Sequence, residues 1–197
     1  TSVYMEAMSK QIHERGGEAD PSEMLEAYLV KLEQIAQGRH EQIVSESCSR
    51  DDFIVFGGRA VIELMIARSL KVIILSGNPH GQVNQEAELL NLAHYCHGHI
   101  YGYKDAKNFS KQSAIKDLME AENFSGENLI AIGDGAVEIM AAKALGGLAI
   151  AICSDEEHNG SGLIDEQKRT TLVEAGADAV IADYREPEAL LQILLGE

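Results

Sequence analysis

Asp134 and Glu138 stand four residues apart in LIAIGDGAVEI, residues 129–139, where an apolar run turns acidic between two glycines. A carboxylate pair just beyond a strand suits a hard cation such as Mg²⁺, which takes oxygen ligands. The competing reading is that Asp134 N-caps a helix beginning at Gly135. Gly133 and Gly135 also invite a dinucleotide-binding reading. That fingerprint needs a third glycine where this chain has Glu138, and Asp134 would repel a pyrophosphate. A second candidate is Ser76-Gly77 in VIILSGN. A hydroxyl and free backbone N–H groups at a strand end can hold a phosphate, although Ser-Gly also makes ordinary turns. The third is Lys111, which opens a helical run in NFSKQSAIKDL. A cation is mildly unfavourable at a helix N-terminus, so this one is either solvated or held for an anion.

The elements that must position these residues alternate. Helical runs at 58–70, 82–93, 111–123, 136–145, 166–176 and 186–195 are interleaved with short apolar runs at 71–75, 99–103, 128–132, 147–153 and 177–183. Such alternation predicts parallel βαβ units in an α/β layered fold. Strands apolar throughout are those that helices cover on both faces. Ligands of open parallel sheets gather at the carboxyl ends of the strands. Ser76-Gly77-Asn78, Asp134-Gly135, Asp155-Glu156 and Asp183 fall at such ends. Residues 1–50 read differently, as helices without a convincing strand. Asp20 is an N-cap candidate and Pro21 a first helical residue. Leu25, Tyr28, Leu29, Leu32, Ile35 and Ala36 follow at helical spacing, and Gly38 is the expected stop. The Gly16-Gly17 pair separates this helix from an earlier one.

Composition narrows the partners. With 197 residues and 45% hydrophobic content, the chain can build one sizeable core. A net charge of −16 argues against nucleic acid or an anionic membrane as the main partner. No apolar run reaches the roughly 20 residues of a membrane span. The N-terminus lacks the apolar core of a signal peptide. Cys48, Cys96 and Cys153 form no CxxC and imply no disulfide framework, so a reducing cytoplasm is the simplest expectation.

Taken together, strand–Ser-Gly, a helix-initial Lys, and 23 residues later the Asp of strand–GDGxxE resemble the second, third and fourth motifs of the haloacid dehalogenase-like hydrolase superfamily. The resemblance is nearest to phosphoserine- and phosphoglycolate-phosphatase-like members. It implies a Rossmann-like core with a parallel sheet over residues 51–197. Residues 1–50 would be part of the helical cap. It also implies Mg²⁺-dependent hydrolysis of a small phosphomonoester. Ser76 and the Gly77 amide would bind the phosphoryl group, and Lys111 would neutralise it. Asp134 would ligate Mg²⁺, with Glu138 as a further ligand or a supporting acceptor.

The superfamily's first motif, an apolar strand ending in DxDx(T/V), is not found. No DxD occurs, Asp51-Asp52 precede an apolar run, and Asp183 has no Asp two residues on. The first Asp of that motif is the nucleophile, so the chain alone is expected to be inactive. The missing strand would lie between those ending at Ser76 and Asp134. The expectation is therefore that the chain begins inside the cap of a longer protein whose preceding segment carries the nucleophile. The alternatives are a non-catalytic phosphate-binding relative, or an unrelated doubly wound domain that binds a nucleotide or a protein.

Three clusters read as structural. His94, Cys96, His97 and His99 lack a second ligand group at zinc spacing. Residues 154–158, SDEEH, read as an acidic cap. Lys168 and Arg169 read as a solvated helix face.

Overall fold

The computed structural model describes residues 2–104 and 109–196. The chain forms two compact units, Thr1–Ser49 and Arg50–Glu197.

The first unit is a helical hairpin of α1 (Ser2–Glu14) and α2 (Pro21–Val44). Gly16, at φ +82°, makes the left-handed turn out of α1. Asp20 caps α2, its Oδ1 accepting from the backbone N–H of Ser22 at 2.7 Å and of Glu23 at 3.1 Å. Pro21 takes the first helical position, where its missing N–H costs nothing. The helix does not stop at Gly38 but runs through it to Val44. A mid-helix glycine costs only about 1 kcal/mol. Continuing the helix buries Ile43, which is 4% exposed. The apolar stripe of Tyr28, Leu29, Leu32 and Ile35 is exposed. The 13 residues of α1 are too few to cover the 24 of α2.

The second unit alternates helices and strands. In chain order these are α3 (Gly58–Ala67), β1 (Ile74–Pro79), α4 (His80–Leu89), β2 (Ile100–Tyr103), α5 (Lys111–Glu122) and β3 (Ile130–Gly133). Then follow α6 (Ala136–Ala144), β4 (Leu148–Ile152), α7 (Glu166–Glu174), β5 (Ala179–Ile181) and α8 (Pro187–Leu195). All strand pairings in these sheets are parallel, as the βα alternation predicts. The buried core beneath the larger sheet joins Ile139 and Ala142 of α6, Ala149 and Ala151 of β4, Cys153 and Leu172. A smaller cluster of Val83, Ala87, Cys96 and Ile100 seats α4 on β2.

Two features differ from a single continuous sheet. The strands form two sheets, β1–β2 and β3–β4–β5, and β1 does not pair with β3. The two sheets share a helical cover: α5 packs on β1, α6 on β3, and α5 on α6. The burial pattern follows. The middle strand β4 is buried over its last four residues, whereas the equally apolar β3 is only half-buried. Its edge away from β4 has no ladder.

The second difference is local. The run expected as a strand at 71–75 is a strand from Ile74 to Pro79, so Ser76-Gly77-Asn78 lie within it. Pairing decides this. Ile74 is in register with Ile100, the first residue of β2, and residues 71–73 extend past the end of that partner. The register slips between Leu75 and Pro79. Gly102 permits the close approach there, since a Cβ would lie 2.5 Å from the Asn78 carbonyl oxygen.

Candidate active site

The candidate residues come from four elements of the second unit. Ser76 and Gly77 belong to β1, Lys111 is the first residue of α5, Asp134 follows β3, and Glu138 lies in the first turn of α6. Ser110 caps α5, its Oγ accepting from the Ser113 N–H at 3.0 Å, and so fixes where Lys111 leaves the backbone. The Lys111 side chain passes over Gly77, where a Cβ would lie 3.9 Å from Lys111 Cε. Lys111 Nζ then donates to Glu138 Oε2 at 2.9 Å. Both side chains of this pair are under one-fifth exposed. The other oxygen, Glu138 Oε1, accepts from the Gly135 N–H at 3.0 Å. One carboxylate thus caps α6 and holds the lysine of α5, tying the end of β3 to the end of β1.

This arrangement gives the two glycines of GDG a physical reason. A Cβ at Gly133 would lie 2.6 Å from Glu138 Cγ, and one at Gly135 would lie 2.8 Å from both Glu138 carboxylate oxygens. The glycines leave room for Glu138 to fold back over the strand end, so no dinucleotide needs to be invoked. The N-cap of α6 is Gly135, not Asp134. Asp134 is exposed, and among the described residues none hydrogen-bonds its carboxylate.

The two acids read together as metal-side carboxylates therefore differ. Glu138 has both oxygens engaged, and Asp134 has both open. No group of three or more His, Cys, Asp or Glu side chains is placed to hold a metal among the described residues. Mg²⁺ commonly takes one or two carboxylates and completes its shell with water and substrate phosphate oxygens. The open Asp134 carboxylate fits that donor chemistry.

Ser76 Oγ accepts from the Asn78 N–H at 3.2 Å, which orients the hydroxyl beside Gly77. Other candidates lie elsewhere or are already occupied. Asp155 accepts from the N–H groups of Glu157 and His158 and shapes its own turn. Lys168 bonds the Ser154 carbonyl and Glu156, and Arg169 pairs with Glu166. Asp183 is buried and chelated by the Arg185 guanidinium, which holds its carboxyl below the usual range.

Sequence reasoning missed Tyr184. Its backbone N–H donates to the Phe56 carbonyl at 2.9 Å. Asn159 in turn bonds the Phe56 N–H and the Ile54 carbonyl, each at 2.9 Å. A glycine at 57, at φ +77°, is required because a Cβ would fall 2.3 Å from the Tyr184 carbonyl oxygen. Burial, with a contribution from the Asp134 carboxylate, pushes the Tyr184 phenol up to about 12. Its sequence signal was position alone, three residues past β5 beside the Asp183 already singled out. The raised value means that the folded protein favours the neutral phenol. That stabilisation is complete below the ordinary value of 10.0 and is lost as pH climbs toward 12. Ultraviolet titration is expected to show Tyr184 ionising later than the exposed tyrosines, and earlier in Asp134→Asn. An unchanged Tyr184 titration in that variant would disprove the coupling.

The haloacid dehalogenase-like hydrolase family matches residues 12–146. Solved structures share the fold. A haloacid dehalogenase-like protein of unknown function from Agrobacterium tumefaciens is 18% identical, with a TM-score of 0.59 over 98% of this chain and 92% of that one. A haloacid dehalogenase family hydrolase from Deinococcus radiodurans, with bound phosphate and sodium, is 15% identical, with a TM-score of 0.59 over 98% and 89%. A predicted phosphoglycolate phosphatase from Haemophilus somnus is 12% identical, with a TM-score of 0.63 over 98% and 77%. No curated protein matches the chain. With the family matched over more than half of its length, on a parallel α/β fold, the chain belongs to the haloacid dehalogenase-like hydrolase family.

Proposed function

We propose that this chain carries the phosphoryl-binding and metal side of a Mg²⁺-dependent phosphatase for small phosphomonoesters. The observation that carries the reading is the Lys111–Glu138–Gly135 tie, which fixes a cation between the ends of β1 and β3. The Ser76 hydroxyl and Gly77 amide bind the phosphoryl oxygens. Lys111 offsets their charge and keeps its orientation through Glu138. Asp134 holds Mg²⁺, which when bound supplies further charge neutralisation. The phosphate in the Deinococcus structure and the description of the Haemophilus protein support the substrate class. Family membership sets aside the unrelated nucleotide- or protein-binding domain.

The attacking carboxylate is not among these residues, since no DxD exists in the chain. In the proposed enzyme it arrives on an extended segment that pairs between β1 and β3, and the chain without it does not turn over substrate. Residues 1–49 serve as part of the cap. The three free cysteines accord with a cytoplasmic setting. No described helix is long and apolar enough to cross a membrane.

Titration of the isotope-labelled chain with inorganic phosphate and Mg²⁺, followed by amide chemical shifts, tests the assignment. Phosphate is expected to move Ser76 and Gly77, and Lys111→Ala to weaken it about tenfold or more. Mg²⁺ is expected to move the Asp134 region, and Asp134→Asn to abolish that response. Phosphate shifts that survive Lys111→Ala unchanged would remove the lysine from the site.

A further inference from the structure

The loop that follows β4 is closed at its neck and anchored at its tip. Ser154 and Ile164 pair across the neck as an isolated antiparallel bridge, and the Asp165 N–H donates to the Cys153 carbonyl at 2.9 Å. At the tip, Asn159 holds residues 54–56. Its Oδ1 accepts from the Phe56 N–H and its Nδ2 donates to the Ile54 carbonyl, each at 2.9 Å. Gly160 comes next, at φ +80°. A Cβ there would lie 2.9 Å from Phe56 Cδ2, so glycine alone fits both the conformation and the contact.

Asn159-Gly160 is the chain's single Asn-Gly pair; every other asparagine precedes Pro, Gln, Leu or Phe. The side-chain amide of an asparagine is open to attack by the backbone nitrogen of the next residue, and glycine hinders that attack least. The fold leaves this pair ready for the reaction. Asn159 is exposed, so water reaches it. The Gly160 N–H donates to no acceptor among the described residues. The Phe56 N–H points at Oδ1, the oxygen on which charge develops as the nitrogen adds to Cγ. Asp134-Gly135 is the contrast, since there the glycine N–H is held by Glu138 Oε1.

We propose that Asn159 is a self-modification site, converting to aspartate or isoaspartate through a succinimide and so releasing the loop from residues 54–56. The Gly160 nitrogen bonds to Asn159 Cγ as it gives up its proton. The Cγ–Nδ2 bond breaks and the amide nitrogen leaves as ammonia. Water then opens the imide. Cleavage between Cγ and the Gly160 nitrogen gives aspartate, and cleavage between that nitrogen and the Asn159 backbone carbonyl carbon gives isoaspartate. Either product puts a carboxylate where Nδ2 donated, so the Ile54 carbonyl loses its donor. The new charge also joins Asp155, Glu156 and Glu157 in an already acidic turn. Isoaspartate lengthens the main chain as well, which carries the acceptor away from the Phe56 N–H. The change reaches the candidate active site, because the Phe56 carbonyl accepts from the Tyr184 N–H.

The test incubates the full folded chain at mildly alkaline pH and follows it by peptide mass spectrometry, with fragmentation that separates aspartate from isoaspartate. The amide-to-acid mass gain is expected in the peptide carrying Asn159 before any other asparagine reacts. It is expected to be absent in Asn159→Gln, whose longer side chain cannot form a succinimide. Asn159 is exposed, so this variant should keep the wild-type circular dichroism spectrum. The modified chain carries an added negative charge and is separated by anion exchange. In its isoaspartyl form the Phe56 amide is expected to exchange with solvent about tenfold faster than in the unmodified chain, the loss of a hydrogen bond. A folded chain in which Asn159 stays intact, or in which another asparagine reacts first, would overturn the proposal. So would unchanged Phe56 exchange in the isoaspartyl chain.

Discussion

Phosphomonoester turnover is expected to rise from background to roughly one per second or faster when the chain is given an extended apolar segment ending in Asp-x-Asp. The physical case rests on the split sheet. β1 and β3 each pair on one side only, with β2 and β4 respectively, and their free edges belong to one compact unit. The helices α5 and α6 pack on each other, α5 on β1 and α6 on β3, covering both strands. Unpaired backbone groups under such a cover are costly. One parallel strand, at about 4.8 Å from each neighbour, satisfies both edges. A strand inserted parallel to both is expected to end beside Ser76, Lys111 and Asp134. The first Asp of the segment can attack the phosphorus held by Ser76 and Gly77, breaking the ester P–O bond as the second Asp protonates the departing alcohol; water, giving its proton back to the second Asp, then cleaves the aspartyl-phosphate to inorganic phosphate and the free carboxylate. The measurement is phosphate release in Mg²⁺, with the segment fused ahead of Thr1 or added as a peptide. A segment whose attacking Asp is replaced by Asn should pair with both β1 and β3 without turnover. Equal turnover by the chain alone, or by the Asn segment, would sink the idea.

Glu138→Ala should destabilise the second unit by about 2–4 kcal/mol, read from urea unfolding with the slope unchanged. Two losses add. The Gly135 N–H at the start of α6 loses its cap, worth about 1 kcal/mol. Lys111, under one-fifth exposed, keeps its charge without its partner. Lys111→Met alone should cost less, since its flexible stem still packs across Gly77. The double variant should recover about 1 kcal/mol or more relative to strict additivity, because the stranded charge is gone. Strict additivity would show that the two groups do not interact and would remove the reason for calling Glu138 the anchor of the lysine.

The free edges carry a second consequence. Apolar strands with an unpaired side are templates for pairing with other chains. β3 is of that kind, whereas β4 is enclosed by β3 and β5.

The sequence by itself determined what is local or periodic. Alternating apolar runs and amphipathic helices specified parallel βαβ units, because side-chain burial repeats at two residues in strands and at about 3.6 in helices. Asp20-Pro21 specified the start of α2, because a cap acts over three residues. The order of Ser76, Lys111 and Asp134 and the spacing of the last two were enough to recognise the family. Tertiary structure alone decided what depends on contacts distant along the chain. The extent of β1 follows from where β2 begins, 26 residues after Ile74. Gly38 fails to stop α2, since a glycine's cost is small beside burial further along. Asp134 and Glu138 looked alike as acids four residues apart. A lysine 27 residues before Glu138 separates them, leaving one carboxylate open and the other engaged on both oxygens. Tyr184 joins the site through Phe56 and Asn159, from loops more than 100 residues apart, and no spacing rule reaches that far.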